Sequence, residues 1–246
     1  MVLLTRCLLA ATTVAIACAA ADLRSNLPPV PSYEVHRATS HIVIDGTLDD
    51  PAWKQAAPIP FQFPWDKQTG PKQGTTARLL WDDEFLYVAW DCEDTDIVAH
   101  HGAHDDPTYE DDAVEIFINP DPKQTFYYGM EINARATVYD YLYAFPRVLL
   151  KRVDFEGLRI AAYVRGTMNV RGDQDKGWTI ELAIPWRNFA DLAPKLPPEP
   201  GSSWTANMNR WDGVEPDRRL SQWSDSGLTE PNPHNPDRFG KLIFVK

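Results

Sequence analysis

Residues 77–120 constrain the fold more than any other stretch. Two apolar runs, ARLLW and FLYVAWDC, alternate on either side of Asp82-Asp83-Glu84 with the period of a β-hairpin. A polar loop follows, then YEDDAVEIFINP, a strand entered through Glu110, Asp111, Asp112 and Glu115. Carboxylates crowded at strand ends point to either a cation site or a polar ligand face. The same period recurs along the chain. Residues 126–134 and 137–144 read as paired strands, 158–170 alternates, and 177–185 puts Trp178, Ile180, Leu182 and Ile184 on one face. Further strands are expected at 34–44, 61–63, 204–211, 220–224 and 240–245, and short helices only at 48–56 and 186–192. About ten or eleven strands with two helical turns predict an all-β fold, an antiparallel β-sandwich of the jelly-roll or immunoglobulin-like kind.

The first 21 residues read as a signal peptide. Arg6 precedes an Ala-rich apolar run too short for a membrane span, and Ala19-Ala20-Ala21 offers a cleavage site. A lipoprotein signal is the alternative, because Ala15-Ile16-Ala17-Cys18 resembles a lipobox and would anchor the chain through Cys18. Either way the expected location is secreted, periplasmic or on the outer surface. Residues 22–32 form an extended leader, and 33–246 a single domain with no transmembrane span. The net charge of −11 argues against nucleic acid as a partner. Cys92 is the lone cysteine after the signal, so a core rich in Trp, Tyr and Phe must supply stability.

Enzyme motifs are absent: there is no Gly-x-Ser-x-Gly, no Gly-rich phosphate loop and no His-Glu-x-x-His. A glycan hydrolase acting on O-glycosyl bonds would need two opposed carboxylates, and sequence does not say which acids face each other. Strand faces carry more information. Trp204, Ala206 and Met208 face the core, leaving Thr205, Asn207, Asn209 and Trp211 on the opposite face. Met130, Ile132 and Ala134 likewise leave Glu131, Asn133 and Arg135 outside. Amides, charges and a flat ring suit sugar hydroxyls and a pyranose face, although a plain solvent face reads the same way. His100, His101 and His104 share a loop with Asp105 and Asp106, but their spacing fits no defined zinc site. Calcium is the better candidate, with Asp94, Asp96, Asp111 and Asp112 as ligands from two strand ends.

Six segments then form an ordered set: IDGTLDDPAW (44–53), ARLLWDDEFLYVAW (77–90), YEDDAVEIFINP (109–120), YYGMEINA (127–134), GWTIELAIPW (177–186) and NPDRFGKLIF (235–244). Together the set resembles a family 9 carbohydrate-binding module of the DOMON-like β-sandwich superfamily. The resemblance implies a secreted, non-catalytic domain that binds plant-type oligosaccharide or polysaccharide, often with structural calcium and beside a partner glycoside hydrolase. It also implies a sugar held between two rings. Tyr109 stands at the position of one ring. The position of the other falls in Asn232-Pro233-His234-Asn235, which has only His234, so Trp211 or Trp65 is the alternative second ring. Asn133 matches a sugar-binding asparagine, while Glu131 replaces a basic residue. Superfamily relatives also include haem binders and interaction modules. Met130, Met168 and Met208 read as core residues, so no haem is expected.

Overall fold

The computed structural model describes residues 23–144, 148–150 and 153–246. The expected signal segment and Cys18 lie outside the described residues. Thirteen strands are present among these: β1 Ser32–Arg37, β2 Ile59–Pro60, β3 Thr75–Trp81, β4 Phe85–Cys92, β5 Ala113–Asn119, β6 Tyr127–Asn133, β7 Val138–Ala144, β8 Val148–Leu150, β9 Arg159–Val164, β10 Trp178–Pro185, β11 Ser203–Asp212, β12 Arg219–Gln222 and β13 Gly240–Phe244. The chain is an all-β sandwich. One sheet runs β8-β7-β6-β5-β11-β13, with β12 beside the far half of β11; the other runs β3-β4-β10-β9, with β2 on β3. β1 joins the two. Ser32 to Val35 pair with β13, and His36 and Arg37 pair with β3, both in parallel, whereas the other ladders are antiparallel.

Alternation builds the core. Val114, Ile116 and Ile118 from β5, Met130 and Ile132 from β6, and Trp204, Ala206 and Met208 from β11 face Leu79 and Trp81, Val88 and Trp90, and Ile180 and Leu182 of the other sheet. Trp186 packs edge-on against Trp204 and Phe244, which closes one end. Cys92 is a buried small residue whose thiol burial pushes up to about 12, so it stays protonated.

The expected helices are shorter than predicted. Both are 3-10 turns, Pro51–Gln55 and Trp186–Phe189. The strand expected at 34–44 ends at Arg37, because the chain then leaves the sheet and lays Ile42 and Trp53 over the outer face of β3, β4 and β10. Glu181 of β10 fastens this cover. Its carboxylate accepts from Trp53 Nε1 at 2.7 Å and from the backbone N–H of Gly46 at 2.7 Å and Asp45 at 3.0 Å. The IDG…W pattern of the sequence is therefore one buried bonding unit. Residues 23–31 do not hang free: Leu23 bridges Leu228, and Arg24 donates to Leu228 O, Pro64 O and the Asp225 carboxylate.

At the other end sits Arg210, fully buried. From β11 of one sheet its guanidinium reaches Thr75 Oγ1 at 3.0 Å and Glu93 O at 2.7 Å in the other, and pairs with Asp94 at 3.0 Å and Asp212 at 2.7 Å. Removing one partner of a buried ion pair strands the other's charge. Arg210→Met should therefore cost about 3–5 kcal/mol, read from the urea midpoint. Gly46 has φ +87°, and a Cβ there would stand 2.8 Å from Ala162 C and 2.9 Å from Tyr163 N. Gly46→Ala should lose about 2 kcal/mol at unchanged m-value.

Candidate functional site

The outer face of the β5–β6–β7–β11 sheet is not a solvent face. Strand register sets its residues in cross-strand rows. One polar row runs Tyr139, Glu131, Glu115, Asn209, Gln222 across five strands. A second runs Tyr141, Gly129, Phe117, Asn207. The Tyr141 ring lies over Gly129, where any Cβ would collide with it, and its hydroxyl donates to Glu131 Oε1 at 2.8 Å. The segment leading into β13 folds back over this face. His234 lies between Phe117 and Tyr143, nearly parallel to both at 4.7 and 4.9 Å, and its Nδ1 is 2.8 Å from Tyr127 Oη.

Between this segment and β7 opens a cavity of about 400 Å³. Glu115 and Glu131 lie at its base, Tyr109, Tyr139 and Tyr143 at one side, and Trp211 with Arg218 at the other. Tyr109 stands in the 3-10 turn Thr108–Glu110, edge-on to Tyr139 at 5.7 Å. The Arg218 guanidinium stacks 4.3 Å above Trp211. At the cavity, Glu115 Oε2 and the Nε and Nη2 of Arg218 lack a hydrogen-bond partner among the described residues, as does the Gln222 amide further along the same row. Buried polar groups are nearly always satisfied, so such a concentration marks a place built for a polar ligand or its water. Burial pushes the Glu115 carboxyl from 4.5 to about 7, opposed by Arg218 and by the Trp211 and Asn209 side chains.

Of the ligand residues expected from sequence, Tyr109, Glu131, Trp211 and His234 line this cavity. His234 gives its ring faces to Phe117 and Tyr143 rather than to the open space. Asn133 and Asn207 do not join them, because loops consume both. Asn133 donates to His101 O and to Asp111 Oδ2, each at 2.8 Å; Asn207 exchanges two bonds of 2.9 Å with the Ser224 backbone. Trp65 is buried elsewhere, its Nε1 donating to Leu228 O. Tyr139, Tyr141, Tyr143 and Arg218 also line the cavity without having stood out in the sequence, and Glu115 stood out only among the acids of the strand entry. The signal for the tyrosines was there: YDYLY repeats with a period of two.

The four acids expected to share calcium diverge. Asp111 accepts from His100 N and His101 N, and Asp96 pairs with Arg171. Asp94 and Asp112 do meet, with Asp212 as a third, within 4.8 Å. Yet all six carboxylate oxygens already accept hydrogen bonds. Asp94 takes Trp178 Nε1, Arg210 and Asp96 N; Asp112 takes Val98 N and Gly213 N; Asp212 takes Arg210, Gln73 and Arg219. Two guanidiniums balance most of the charge. The three carboxylates thus sit in an internal ion-pair network with Arg210 and Arg219.

Known proteins share this architecture. The profile of a family described as carbohydrate family 9 binding domain-like matches residues 44–246. An exoglucanase, XynX, of Acetivibrio thermocellus is 29% identical over 151 residues, which are 61% of this chain and 12% of that enzyme. Endo-1,4-beta-xylanase A of Thermotoga neapolitana is 25% identical over 204 residues, 83% of this chain and 17% of the enzyme. The chain thus spans only a small part of these relatives. A putative carbohydrate-binding protein from Bacteroides uniformis superposes with a TM-score of 0.71 at 17% identity, covering 87% of this chain and 99% of the other. A family 9 carbohydrate binding module from Caldicellulosiruptor kristjanssonii, solved with cellotriose, gives 0.60 at 17% identity, with 87% and 93% covered.

A carboxyl whose folded pKa is raised stabilises the fold fully below its unfolded pKa and loses that contribution as pH climbs through the folded value. For Glu115 that window runs from about 4.5 to about 7. Asp112, raised to about 8 by burial and by Asp94 and Asp212, extends it upward. Unfolding free energy should therefore fall between about pH 5 and 8, and Glu115→Gln should flatten the lower part of that slope in urea titrations.

Proposed function

The chain belongs to the carbohydrate family 9 binding domain-like family, and from that we propose a non-catalytic module whose sugar site is the cavity above Glu131 and Glu115. The observation that carries this reading is the meeting, around one cavity, of aromatic rings with unsatisfied buried polar atoms of Glu115 and Arg218. Tyr109 and Trp211 offer flat apolar surface for a pyranose face, with Tyr139 packed behind Tyr109. Glu115 accepts from sugar hydroxyls, and Arg218 donates to them. A hydroxyl bound there gives these groups partners they otherwise lack, so the gain on binding includes relief of their desolvation cost. Cello- and xylo-oligosaccharides are the natural first ligands, given the enzymes in which related modules occur. That company also supports work outside the cell beside a glycoside hydrolase. No helix among the described residues is long and apolar enough to cross a membrane.

The paired acids raise a second reading, glycoside hydrolysis. Glu115 and Glu131 face each other across adjacent strands, and Glu115 sits near the pKa of a general acid. Hydrolysis needs carboxyls on both sides of the scissile bond. These two rise from one floor and would lie under the same face of a sugar, which favours binding.

Titration with cellotriose and xylotriose, followed by Trp fluorescence and calorimetry, should saturate at one site. Tyr109→Ala and Trp211→Ala should each weaken it by roughly tenfold, about 1.4 kcal/mol. Unchanged affinity in both variants removes the cavity as the site. Release of reducing sugar that Glu115→Gln abolishes would turn the assignment to an enzyme.

A further inference from the structure

We propose that His104, Asp105, Asp140 and Asp154 form a site for a divalent transition metal of the zinc class. The four residues come from three places: the loop between β4 and β5, strand β7, and the segment after β8. One ligand atom from each lies within 4.8 Å of all the others. The imidazole Nε2 is the centre of the group. It stands 3.3 Å from Asp140 Oδ1, 3.6 Å from Asp154 Oδ1 and 3.8 Å from Asp105 Oδ1.

Asp140 points to a missing ligand. Its side chain is fully buried. Its Oδ2 accepts from Phe155 N at 2.7 Å, whereas its Oδ1, aimed at the cluster, makes no aligned hydrogen bond and has only the His104 imidazole 3.3 Å away. A buried carboxylate oxygen in that state has its desolvation only partly offset, by the exposed imidazole. No lysine or arginine among the described residues lies within ion-pair distance of Asp105, Asp140 or Asp154, so three carboxylates face one imidazole.

The spacings identify the ligand type. At 3.6 and 3.8 Å the contacts are too long for hydrogen bonds. They match a coordination polyhedron instead: ligands about 2.0–2.2 Å from a tetrahedral ion stand about 3.4 Å from one another. A nitrogen ligand among carboxylates selects zinc or its first-row neighbours over calcium and magnesium, which take oxygen. The ion would fasten the loop that leads into Tyr109 onto β7, where Asp105 N already donates to Val138 O at 3.0 Å. This site is separate from the sugar cavity, and its test does not depend on sugar binding.

The protein is dialysed against zinc chloride, washed and assayed for metal, and cobalt is followed by its visible absorption. Wild type should retain one zinc per chain, develop the intense bands of tetrahedral cobalt and melt at a higher temperature with zinc. His104→Ala and Asp154→Asn alter exposed side chains, so both should fold. Each should weaken zinc by more than about tenfold and remove the cobalt bands. Asp140→Asn keeps the acceptor for Phe155 N and should also lose zinc. The proposal fails if wild type retains no zinc, or if zinc uptake is equal in wild type and His104→Ala. Calcium uptake in preference to zinc, indifferent to His104→Ala, overturns the transition-metal assignment.

Discussion

The sandwich depends on one buried cation. Arg210 leaves β11 on the core side and spends its guanidinium on the opposite sheet, bonding Thr75, Glu93 O and Asp94 while holding Asp212 on its own strand. Two sheets packed through apolar side chains can slide, because dispersion contacts carry little direction. A guanidinium with five fixed donors cannot. Asn209 and Trp211 flank Arg210 on the same strand and therefore point the other way, into the outer face. The ion-pair network and the candidate cavity are thus the two sides of a single strand segment, and the placement of Trp211 follows from where Arg210 is anchored.

Much of the fold was legible because each strand buries one face in the sandwich, and a period of two survives that burial. The strands around the 82–84 turn, at 127–133, at 178–185 and at 203–212 all appear close to their expected limits. The errors have a common physical source. Both sheets are also covered on the outside, one by residues 38–56 and the other by the stretch leading into β13. Those covers have no periodicity. Asn207 and Asn209 therefore read as an outward row open to ligand or solvent, although both are wholly buried. Helix propensity over 48–56 yielded only one 3-10 turn, since Trp53 must reach Glu181.

The site was half legible. Tyr109, Glu131 and Trp211 were found from strand faces and family likeness, and the fold brings them to one cavity. Asparagines on the same face misled, because a side-chain amide serves a loop backbone as well as a ligand. The acids misled for a related reason. Adjacent in sequence, Asp111 and Asp112 serve different backbone groups, Asp111 taking His100 and His101 N and Asp112 taking Val98 and Gly213 N. Clustered carboxylates in a chain do not become clustered carboxylates in space. His234 shows the reverse case: with no large aromatic at hand, the covering segment uses an imidazole to fill the gap between Phe117 and Tyr143.

The parallel pairing of β1 with β13 has a consequence for biosynthesis. A chain made from its N-terminus produces Ser32 to Arg37 early, yet Lys241 to Phe244 emerge last of all the strands. Until then β11 and β1 each present a bare edge, and bare edges recruit other strands. Closure of the sandwich therefore waits for β13, a long-range step of the kind that slows folding. The segment that covers the outer face of β5–β6–β7 precedes β13 directly, so the cavity takes shape only with that strand.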